Sequence, residues 1–461
     1  MPLIKSISGI RGTIGGKPGD TLSPLDTVKF TAAYGTWILN RNPANKTVIV
    51  GRDGRISGNM VQNLVMSTLN AVGITVIDAG LSTTPTVEMA VLFEGAAGGI
   101  IITASHNPKE WNALKLLNEK GEFLTGEDGR QVLEIADEET FRFVPVDKLG
   151  TVILGDSLLE KHIQSVVDYP LVDTEIIRDR NFKIVVDGIN STGATAVPQL
   201  LRALGVENIT VLNEEVNGRF AHNPEPLPQH LTELSKEVNK QGADLGIAVD
   251  PDVDRLCFVC EDGTLFGEEY TLVAVADYVL QHRKGNTVSN MSSTRALKDI
   301  TVKNGGEYFP SAVGEVNVVT KMKAVDAVIG GEGNGGIIVP DLHYGRDALI
   351  GIALFLSLIA KSKKSIRQLR RQYPDYFISK NKIELEQSVN VPHVFERIQK
   401  KYKNNPINTD DGLKIEFDND WVHLRTSNTE PIIRIYAESH FETTADNIAK
   451  RLMQDIKENI D

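Results

Sequence analysis

Two stretches of the chain follow the same order of secondary-structure signals, and this repeat constrains the fold more than any other feature. They are KTVIVGRDGRISGNMVQNLVMSTLNAVGITVIDAG at residues 46–80 and FKIVVDGINSTGATAVPQLLRALGVENITVLNEE at residues 182–215. Each reads as a strand, an Asp-Gly turn, an amphipathic helix, a glycine and a second strand. A fainter third copy begins at Asn286. The repeat predicts three related α/β units with largely parallel or mixed sheets.

The chain after about Ser379 departs from this plan and predicts a small α+β domain. It combines a helix pattern, VPHVFERIQKKY, with three strand patterns and a final amphipathic helix. A chain of 461 residues is too long for one hydrophobic core. The expected division is therefore three mixed α/β domains followed by an α+β domain, at 1–150, 151–262, 263–375 and 376–461.

Composition and charge exclude several functional classes. The net charge of −12 argues against a general nucleic-acid binder. The N-terminus, MPLIKSISGIRG, lacks the apolar core of a signal peptide, and the longest apolar stretch is about half a membrane span. Cys257 and Cys260 would point to opposite faces of one strand, which disfavours a disulfide or a shared metal. We expect a cytoplasmic protein that binds neither nucleic acid nor membrane.

The stretch GIIITASHNP places a serine directly after a buried strand. Ile100–Ile102 have the pattern of that strand, and Ser105 follows in a loop that Pro108 closes. The loop lacks the Gly-x-Ser-x-Gly pattern of a hydrolase nucleophile. From these residues alone, a surface loop with an Asn-Pro turn remains an equal alternative.

The stretch DPDVDR predicts a divalent metal site. Asp250, Asp252 and Asp254 alternate after a strand pattern, and hard oxygen ligands at this spacing suit Mg²⁺ or Ca²⁺. An EF-hand is excluded because Arg255 stands where that loop needs glycine and because both flanks read as strands. Three adjacent carboxylates repel one another, and Arg255 alone does not neutralise them.

Two further loops carry groups that suit a phosphorylated sugar. In GEGNGG, glycines surround Glu332 and Asn334, whose side chains suit hydrogen bonds to vicinal hydroxyls. A glycine-rich hairpin turn without a ligand explains that loop equally well. RTSNTEP offers a dense group of donors for a phosphate, and a polar hairpin loop is the alternative. Those donors are Arg425, Ser427, Asn428 and Thr429.

Together the four stretches resemble the α-D-phosphohexomutase superfamily, which includes phosphoglucomutase, phosphomannomutase and phosphoglucosamine mutase. TASHNP resembles its phosphoserine loop, DPDVDR its metal loop, GEGNGG its sugar loop and RTSNTEP its phosphate loop. The motifs occur in the family's order and are spread over the whole chain. GIRG at Arg11 and WNALK ending at Lys115 are also similar to family motifs.

The resemblance implies four domains around a central cleft, with one loop from each. Ser105 would carry a phosphoryl group, and a phosphoserine oxygen would complete an Mg²⁺ site with the three aspartates. The substrate would be a small sugar phosphate, and a hexose 1,6-bisphosphate would be both intermediate and activator. Lys115 and Arg11 would serve catalysis. His106 would hydrogen-bond the phosphoserine or hold its own loop.

The chain departs from the family pattern at the sugar loop. Many bacterial members have histidine where this chain has Gly336, and His343 is the nearest catalytic candidate to replace it. A loop histidine without a catalytic part remains an equal alternative. We expect Arg346 to orient the loop or contact substrate, and Arg255 to lie in the cleft.

The expected activity is interconversion of hexose 1-phosphate and 6-phosphate. The sugar-loop and phosphate-loop sequences favour different relatives, so glucosamine, glucose and mannose phosphates stay open, with an enzyme tolerant at C2 expected. A Mg²⁺-dependent sugar phosphatase and a non-catalytic sugar-phosphate-binding regulator are the alternatives. The sequence leaves the oligomeric state open.

Overall fold

The structure is a computed structural model that describes residues 3–6, 9–385, 389–426 and 432–459. Within those ranges the chain forms four β-sheets that follow one another along the sequence. This architecture confirms the expected fold class, three mixed α/β units followed by an α+β unit.

The first unit contains a mixed sheet. Its strands are β1 (Ile4–Ser6), β2 (Gly9–Thr13), β3 (Thr47–Arg52), β4 (Thr75–Leu81), β5 (Gly98–Ile102), β6 (Trp111–Leu117) and β7 (Val152–Leu154). Its helices are α1 (Pro24–Arg41), α2 (Gly58–Val72), α3 (Thr84–Phe93) and α4 (Gly126–Asp137). The strand order is β1-β2-β6-β5-β3-β4-β7. Because the apolar strand β7 pairs with β4, in register Val76 to Val152, this sheet extends past the expected boundary at residue 150.

The second and third units repeat a smaller version of this arrangement. The second contains α5 (Leu158–Val167), α6 (Thr174–Arg180), β8 (Lys183–Asp187), α7 (Gly193–Ala203), β9 (Asn208–Leu212), α8 (Thr232–Gln241), β10 (Leu245–Val249) and β11 (Leu256–Cys260). The third contains α9 (Glu268–His282), β12 (Asn286–Asn290), α10 (Ala296–Lys303), β13 (Tyr308–Ser311), α11 (Glu315–Ala324), β14 (Ala327–Glu332), β15 (Gly336–Ile338), α12 (Ala348–Ser362) and α13 (Ile366–Arg370). Their strand orders are β11-β10-β8-β9 and β13-β12-β14-β15.

The fourth unit is an antiparallel sheet with two helices at its flank in the part of the chain that is described. It contains β16 (Phe377–Glu384), α14 (Val391–Lys401), β17 (Ile407–Asn408), β18 (Leu413–Glu416), β19 (Trp421–Thr426), β20 (Ile432–Ser439) and α15 (Glu442–Glu458). The strand order is β16-β20-β19-β18-β17, and every pairing is antiparallel.

The four predicted loops occupy equivalent places in the four sheets. Each connects two consecutive strands that pair antiparallel: β5 with β6, β10 with β11, β14 with β15, and β19 with β20. The ladder hydrogen bonds on both sides hold the two ends of such a loop in place. The fold therefore presents the three described loops on rigid supports. The last loop, at 427–431, lies outside the described residues.

The second and third units share one hydrophobic core. A single cluster of buried side chains runs from Ile163 to Tyr373 and includes almost all of α12. Phe258 of β11 stacks on Phe355 of α12, with ring centroids 3.8 Å apart. The apolar run GIALFLSLIA, the longest in the sequence, is thus a core helix. In the portion of the chain described, no helix is both long and apolar enough to cross a membrane.

The shared core predicts that the second and third units unfold together. Phe355→Ala removes a fully buried ring and should cost about 3–5 kcal/mol of unfolding free energy. Denaturant unfolding monitored by pulsed hydrogen exchange should show both units losing stability equally. Phe143→Ala, at a ring that is 54% exposed, is the matched control and should change little. Loss of stability confined to one unit would contradict a shared core.

Candidate active site

A cleft of about 730 Å³ opens between the four units and receives most of the residues expected from the sequence. Those that line it are Arg11, Ser105, His106, Lys115, Arg255, Glu332, Asn334, Arg346 and Arg425. The three aspartates lie directly beneath this surface, since one of them accepts a hydrogen bond from Ser105. Ser427, Asn428 and Thr429 lie outside the described residues.

Ser105 is held in a conformation that costs backbone energy. Its φ is +49°, in the left-handed region that residues other than glycine seldom adopt. Its backbone N–H donates to Thr103 Oγ1 at 2.9 Å, and the Thr103 hydroxyl donates to Asp53 Oδ2 at 2.7 Å. The Ser105 hydroxyl donates to Asp250 Oδ2 at 2.7 Å. The strained turn thus directs the hydroxyl at the aspartate cluster.

Arg55, a residue that no sequence motif indicated, holds the serine loop in place through hydrogen bonds. Its side chain is fully buried and pairs with Asp53. The other guanidinium nitrogens donate to the backbone carbonyls of Ser105 (2.6 Å), Asn107 (2.7 Å), Pro108 (2.7 Å) and Trp111 (3.0 Å). A planar fork with five N–H donors can satisfy this many carbonyls at once, whereas an ammonium cannot.

The three aspartates form a buried carboxylate cluster. Asp250, Asp252 and Asp254 are each 0% exposed, and one oxygen from each lies within 4.8 Å of the others. Burial and the charges of the two neighbours raise the pKa of Asp250 well above its usual range. Asp252 Oδ1 and Asp254 Oδ1 are buried without a hydrogen-bond partner among the described residues. Unpartnered hard oxygens of this kind fit a bound Mg²⁺.

Two cations from other units partly compensate the cluster. Lys115 Nζ lies 2.7 Å from Asp252 Oδ2 and 3.4 Å from Asp254 Oδ2. Burial alone would lower the pKa of Lys115, but Asp252 and Asp254 raise it above its ordinary value. Arg346 lies 2.7 Å from Asp254 Oδ2. Burial would raise the pKa of Asp254, but Arg346 and Lys115 hold it well below its usual range.

Three basic side chains surround the serine on the cleft side. Arg11 donates to Asn107 Oδ1 at 2.8 Å, and Arg255 pairs with Glu225 at 3.0 Å. His106 Nδ1 lies 3.5 Å from Ser105 Oγ, too far for a good hydrogen bond. Burial, Arg255 and Arg11 together lower the pKa of His106 well below its ordinary value. Neutral His106 and the two guanidiniums leave this side of the serine suited to an anion.

The sugar loop is tied to the metal loop by one guanidinium. Glu332 accepts from Asn290 Nδ2 at 2.8 Å and from Arg346 at 2.9 Å. The same guanidinium reaches Asp254, so it bridges the two loops. A Cβ at Gly336 would lie 2.3 Å from Arg346 Cδ. The arginine therefore occupies the space that a side chain at position 336 would need.

In the described part of the phosphate loop, the side chain of Arg425 lies beside the carboxylate of Asp411. Arg425 Nε lies 2.9 Å from Asp411 Oδ2, and Asp411 also accepts from the backbone N–H of Val313 in the third unit. His423 lies next to this pair, with Nε2 2.6 Å from the Asp411 carbonyl. These contacts join the fourth unit to the third at the edge of the cleft.

The structure does not bring His343 into the cleft. Its ring is buried between Glu88 and Asp347, 3.4 and 3.3 Å away, and it is absent from the cleft lining. The space beside Gly336 is filled by the side chain of Arg346 and not by that of His343. The position of His343 therefore does not support the expectation that it replaces a sugar-loop histidine.

Several cleft residues escaped the sequence reasoning. They are Asn290, Ser292, Ser293, Lys380, His423, Arg434 and Tyr436. Asn290 ends β12, and the equivalent strand ends in the other repeats also carry polar residues, which was a usable signal. Lys380 and Arg434 lie inside β16 and β20, where strand patterns with alternating basic residues look like ordinary solvent-exposed faces.

Sequence models of one protein family match most of the chain. The phosphoglucomutase/phosphomannomutase alpha/beta/alpha domains I, II and III match residues 4–143, 160–263 and 267–376, and the C-terminal domain of the same family matches residues 382–455. The matches follow the family's domain order.

The chain is similar in sequence to curated relatives over almost their whole length. The chain is 36% identical over 441 residues to a phosphoglucomutase/phosphomannomutase of Thermococcus kodakarensis, covering 94% of this chain and 95% of that protein. It is 31% identical to a phosphoglucosamine/phosphogalactosamine mutase of Sulfurisphaera tokodaii, covering 96% and 97%. A crystal structure of a phosphoglucomutase/phosphomannomutase family protein from Burkholderia thailandensis is similar with a TM-score of 0.84 at 25% identity, covering 99% and 98%.

The repulsion within the carboxylate cluster predicts opposite effects of one substitution with and without metal. Asp250→Asn removes one buried negative charge and should stabilise the protein in chelator by about 1–2 kcal/mol. Mg²⁺ should raise the unfolding free energy of the parent protein but not of this variant. Denaturant unfolding with and without Mg²⁺ measures the stability in chelator and the response to the metal. The surface change Asp341→Asn is the control and should respond to Mg²⁺ like the parent protein. An equal response of the parent and Asp250→Asn to Mg²⁺ would contradict a metal site here.

The contacts of Arg55 predict that lysine cannot replace it. Arg55→Lys should speed amide hydrogen exchange at residues 103–111 by roughly tenfold or more, because most of the carbonyl contacts are lost. Arg52→Lys, at a neighbouring arginine that contacts Gln62 and Asp53 instead, is the control. Unchanged exchange in the serine loop of Arg55→Lys would show that the loop holds its shape without the guanidinium.

Proposed function

The chain belongs to the phosphoglucomutase/phosphomannomutase family of phosphohexomutases, and from that premise we propose that it interconverts a hexose 1-phosphate and 6-phosphate through phosphorylated Ser105. The observation that carries the proposal is the placement of the Ser105 hydroxyl. It hydrogen-bonds the buried carboxylate cluster and at the same time lines a cleft with Arg425 of the fourth unit.

The first half-reaction moves a phosphoryl group from the enzyme to the sugar. The bond from phosphorus to Ser105 Oγ breaks, and a bond forms to the free hydroxyl at C1 or C6. The proton of that hydroxyl must leave, and the broken bond leaves an oxyanion on the serine. We assign proton transfer to Lys115, which lies in the cleft next to the aspartates and is held as an ammonium by them. It donates a proton to the serine oxygen as the bond to phosphorus breaks, and the neutral amine then accepts the proton of the sugar hydroxyl. Arg11 and Arg255 stabilise the negative charge near the serine.

The second half-reaction is the reverse transfer from the other end of the sugar. The hexose 1,6-bisphosphate turns in the cleft, and Ser105 takes the second phosphoryl group. Arg425 binds whichever phosphate is not reacting, together with the loop that holds Ser427, Asn428 and Thr429. A phosphate binds Arg425 only if it competes with Asp411, which now lies 2.9 Å from that side chain.

Asp250, Asp252 and Asp254 would hold Mg²⁺ together with an oxygen of the phosphoserine. The two buried aspartate oxygens without hydrogen-bond partners support this assignment. When bound, the ion neutralises charge on the transferring phosphoryl group. The protein's own part is to hold the three side chains in place and, through Lys115 and Arg346, to stabilise the charge of Asp252 and Asp254.

The sugar is bound by groups that are already oriented. Glu332 is fixed by Asn290 and Arg346, and the side-chain oxygen Oδ1 of Asn334 accepts from the Gly336 N–H at 3.1 Å. We propose tolerance at C2, with glucosamine, glucose and mannose phosphates as substrates. Relatives named for glucosamine phosphate and for glucose or mannose phosphate, at 31% and 36% identity, support this range.

Phosphorus NMR tests the proposal directly. The protein is mixed with Mg²⁺, a trace of glucose 1,6-bisphosphate and either glucosamine 6-phosphate, glucose 1-phosphate or mannose 1-phosphate. Phosphate should move between C1 and C6, and the relative rates identify the preferred sugar. Release of inorganic phosphate instead would indicate a phosphatase, and no change with any sugar would favour a regulator that only binds.

Ser105→Ala should lower this turnover by roughly 10³-fold or more while sugar phosphate still binds, because the phosphoryl carrier is lost. Ser165→Ala, on the exposed side of α5, is the matched control and should keep full turnover. Full activity in Ser105→Ala would remove the basis of the phosphoserine assignment.

A further inference from the structure

A buried cluster of titratable side chains lies outside the cleft lining and has no part in the chemistry proposed above. It consists of Glu88 on α3, His162 on α5, and His343 and Asp347 in the turn between β15 and α12. None of these side chains is more than 4% exposed. Because α3, α5 and this turn belong to different units, the cluster joins the first three units.

Asp347 is the centre of the cluster. Its Oδ2 lies 2.9 Å from His162 Nε2 and 3.3 Å from His343 Nε2. Its Oδ1 accepts from the backbone N–H groups of Leu349 and Ile350 and so caps α12. The carboxylate therefore fixes the start of the core helix and both imidazoles.

His343 faces a carboxylate at each ring nitrogen. Nδ1 lies 3.4 Å from Glu88 Oε2, and the Glu88 oxygens have no hydrogen-bond partner in the described ranges. A neutral ring would need a protonated Glu88 to donate to its Nδ1, so one proton lies between the two groups in either case. Burial raises the pKa of Glu88 to about 8, below that of His343, which places this proton on the ring and gives it a proton on both nitrogens. Burial alone would lower the pKa of His343, but Asp347 and Glu88 raise it to about 10.

His162 has a different environment. Its Nδ1 lies 2.9 Å from Thr86 Oγ1, a hydroxyl that can donate to it. A neutral ring with its proton on Nε2 therefore satisfies both nitrogens of His162. The hydrogen bonds of His162 therefore do not call for a second ring proton.

The backbone turn leaves room for the Glu88 carboxylate. A Cβ at Gly345 would lie 1.9 Å from Glu88 Oε2 and 2.9 Å from the His343 ring. Only a residue without a side chain lets the carboxylate approach the imidazole here.

Three contacts form a closed path through the three units. At the start of α3, the Thr84 hydroxyl donates to Asp252 Oδ2 at 2.6 Å. On the other side of the metal loop, Arg346 donates to Asp254 Oδ2 at 2.7 Å. The pair of His343 and Glu88 connects the segment that carries Arg346 back to α3, one helical turn beyond Thr84.

We propose that His343 is a positioning residue whose imidazolium, held between Glu88 and Asp347, fixes α3 and Arg346 against the two sides of the metal loop. It acts through Thr84 on Asp252 and through Arg346 on Asp254, and it touches neither substrate nor metal. Its effect on metal binding rests on the assignment of Mg²⁺ to the three aspartates, and only its effect on turnover rests on the mutase reaction.

Metal binding by the cluster itself is the competing explanation. Donor atoms of His162, His343 and Asp347 lie within 4.8 Å of one another. Protons already account for the hydrogen-bond distances, and Glu88 lies beyond the second nitrogen of His343, so it does not complete a ligand set. Metal analysis of the purified parent protein decides between the two: a stoichiometric transition metal that is lost in His343→Gln would overturn the proposal.

The main experiment compares Mg²⁺ affinity by calorimetry in His343→Gln, Glu88→Gln, the double variant and the parent. Each single variant should raise the Mg²⁺ dissociation constant by about tenfold, as for other residues that orient metal ligands. The double variant should recover part of this loss, because two neutral amides can hydrogen-bond across the same gap. His282→Gln, at a histidine that hydrogen-bonds the Tyr278 carbonyl and packs against the Tyr278 ring on α9, is the control and should match the parent. Parent-like Mg²⁺ affinity in folded His343→Gln would overturn the proposal.

Two further measurements separate positioning from general destabilisation. In the parent protein, ¹⁵N NMR should include an imidazole that stays protonated on both nitrogens well above neutral pH, and His343→Gln should remove that signal. This readout does not require the variant to be active, and a neutral His343 would overturn the proposal. In turnover assays, kcat of His343→Gln should fall about tenfold with KM for sugar phosphate unchanged. A parent protein without mutase activity that still shows the Mg²⁺ effect would refute the proposed function alone.

Discussion

The rest of the structure depends on burying three carboxylates side by side. Asp250, Asp252 and Asp254 have no contact with solvent, and like charges in such a place are stable only if cations compensate them. The compensating charges, Lys115 and Arg346, come from the first and third units, while the carboxylates belong to the second. The interactions that prepare a metal site therefore also hold three units in one arrangement. A substitution that weakens the charge contacts of the cluster should therefore also weaken the packing of the three units.

Rigid support for the reacting groups comes from the way each loop is connected. The described loops join neighbouring antiparallel strands, so ladder hydrogen bonds hold both ends. Backbone strain is then tolerated, as at Ser105 and at Val253, where a β-branched residue has a φ of +62°. Arg55 adds side-chain support by donating to the carbonyls of the serine loop between β5 and β6. A phosphoryl carrier needs such support, because small displacements of the hydroxyl reduce transfer strongly.

Arg346 connects the loop that holds Glu332 to the loop that holds Asp254. One guanidinium contacts Asp254, Glu332 and Glu315, and Gly336 provides the space for its side chain. The departure from the family pattern at Gly336 thus has a physical counterpart in this chain. His343, three residues before Arg346, lies on the opposite side of the same turn and faces Glu88. This short turn therefore carries two buried basic side chains, His343 and Arg346, each paired with carboxylates.

The sequence by itself determined the fold class and the chemistry of the loops, because strand and helix periodicity and a motif such as Asp-x-Asp-x-Asp are set by residues a few positions apart. Most of the described residues that its motifs singled out do line the cleft. Only the tertiary structure decided the roles of Arg55 and His343 and the shared core of the second and third units. Arg55 contacts Trp111, 56 positions away, and His162 contacts Asp347, 185 positions away. No local pattern encodes such pairs, since they form only when separate units pack, and burial then decides which charges must meet.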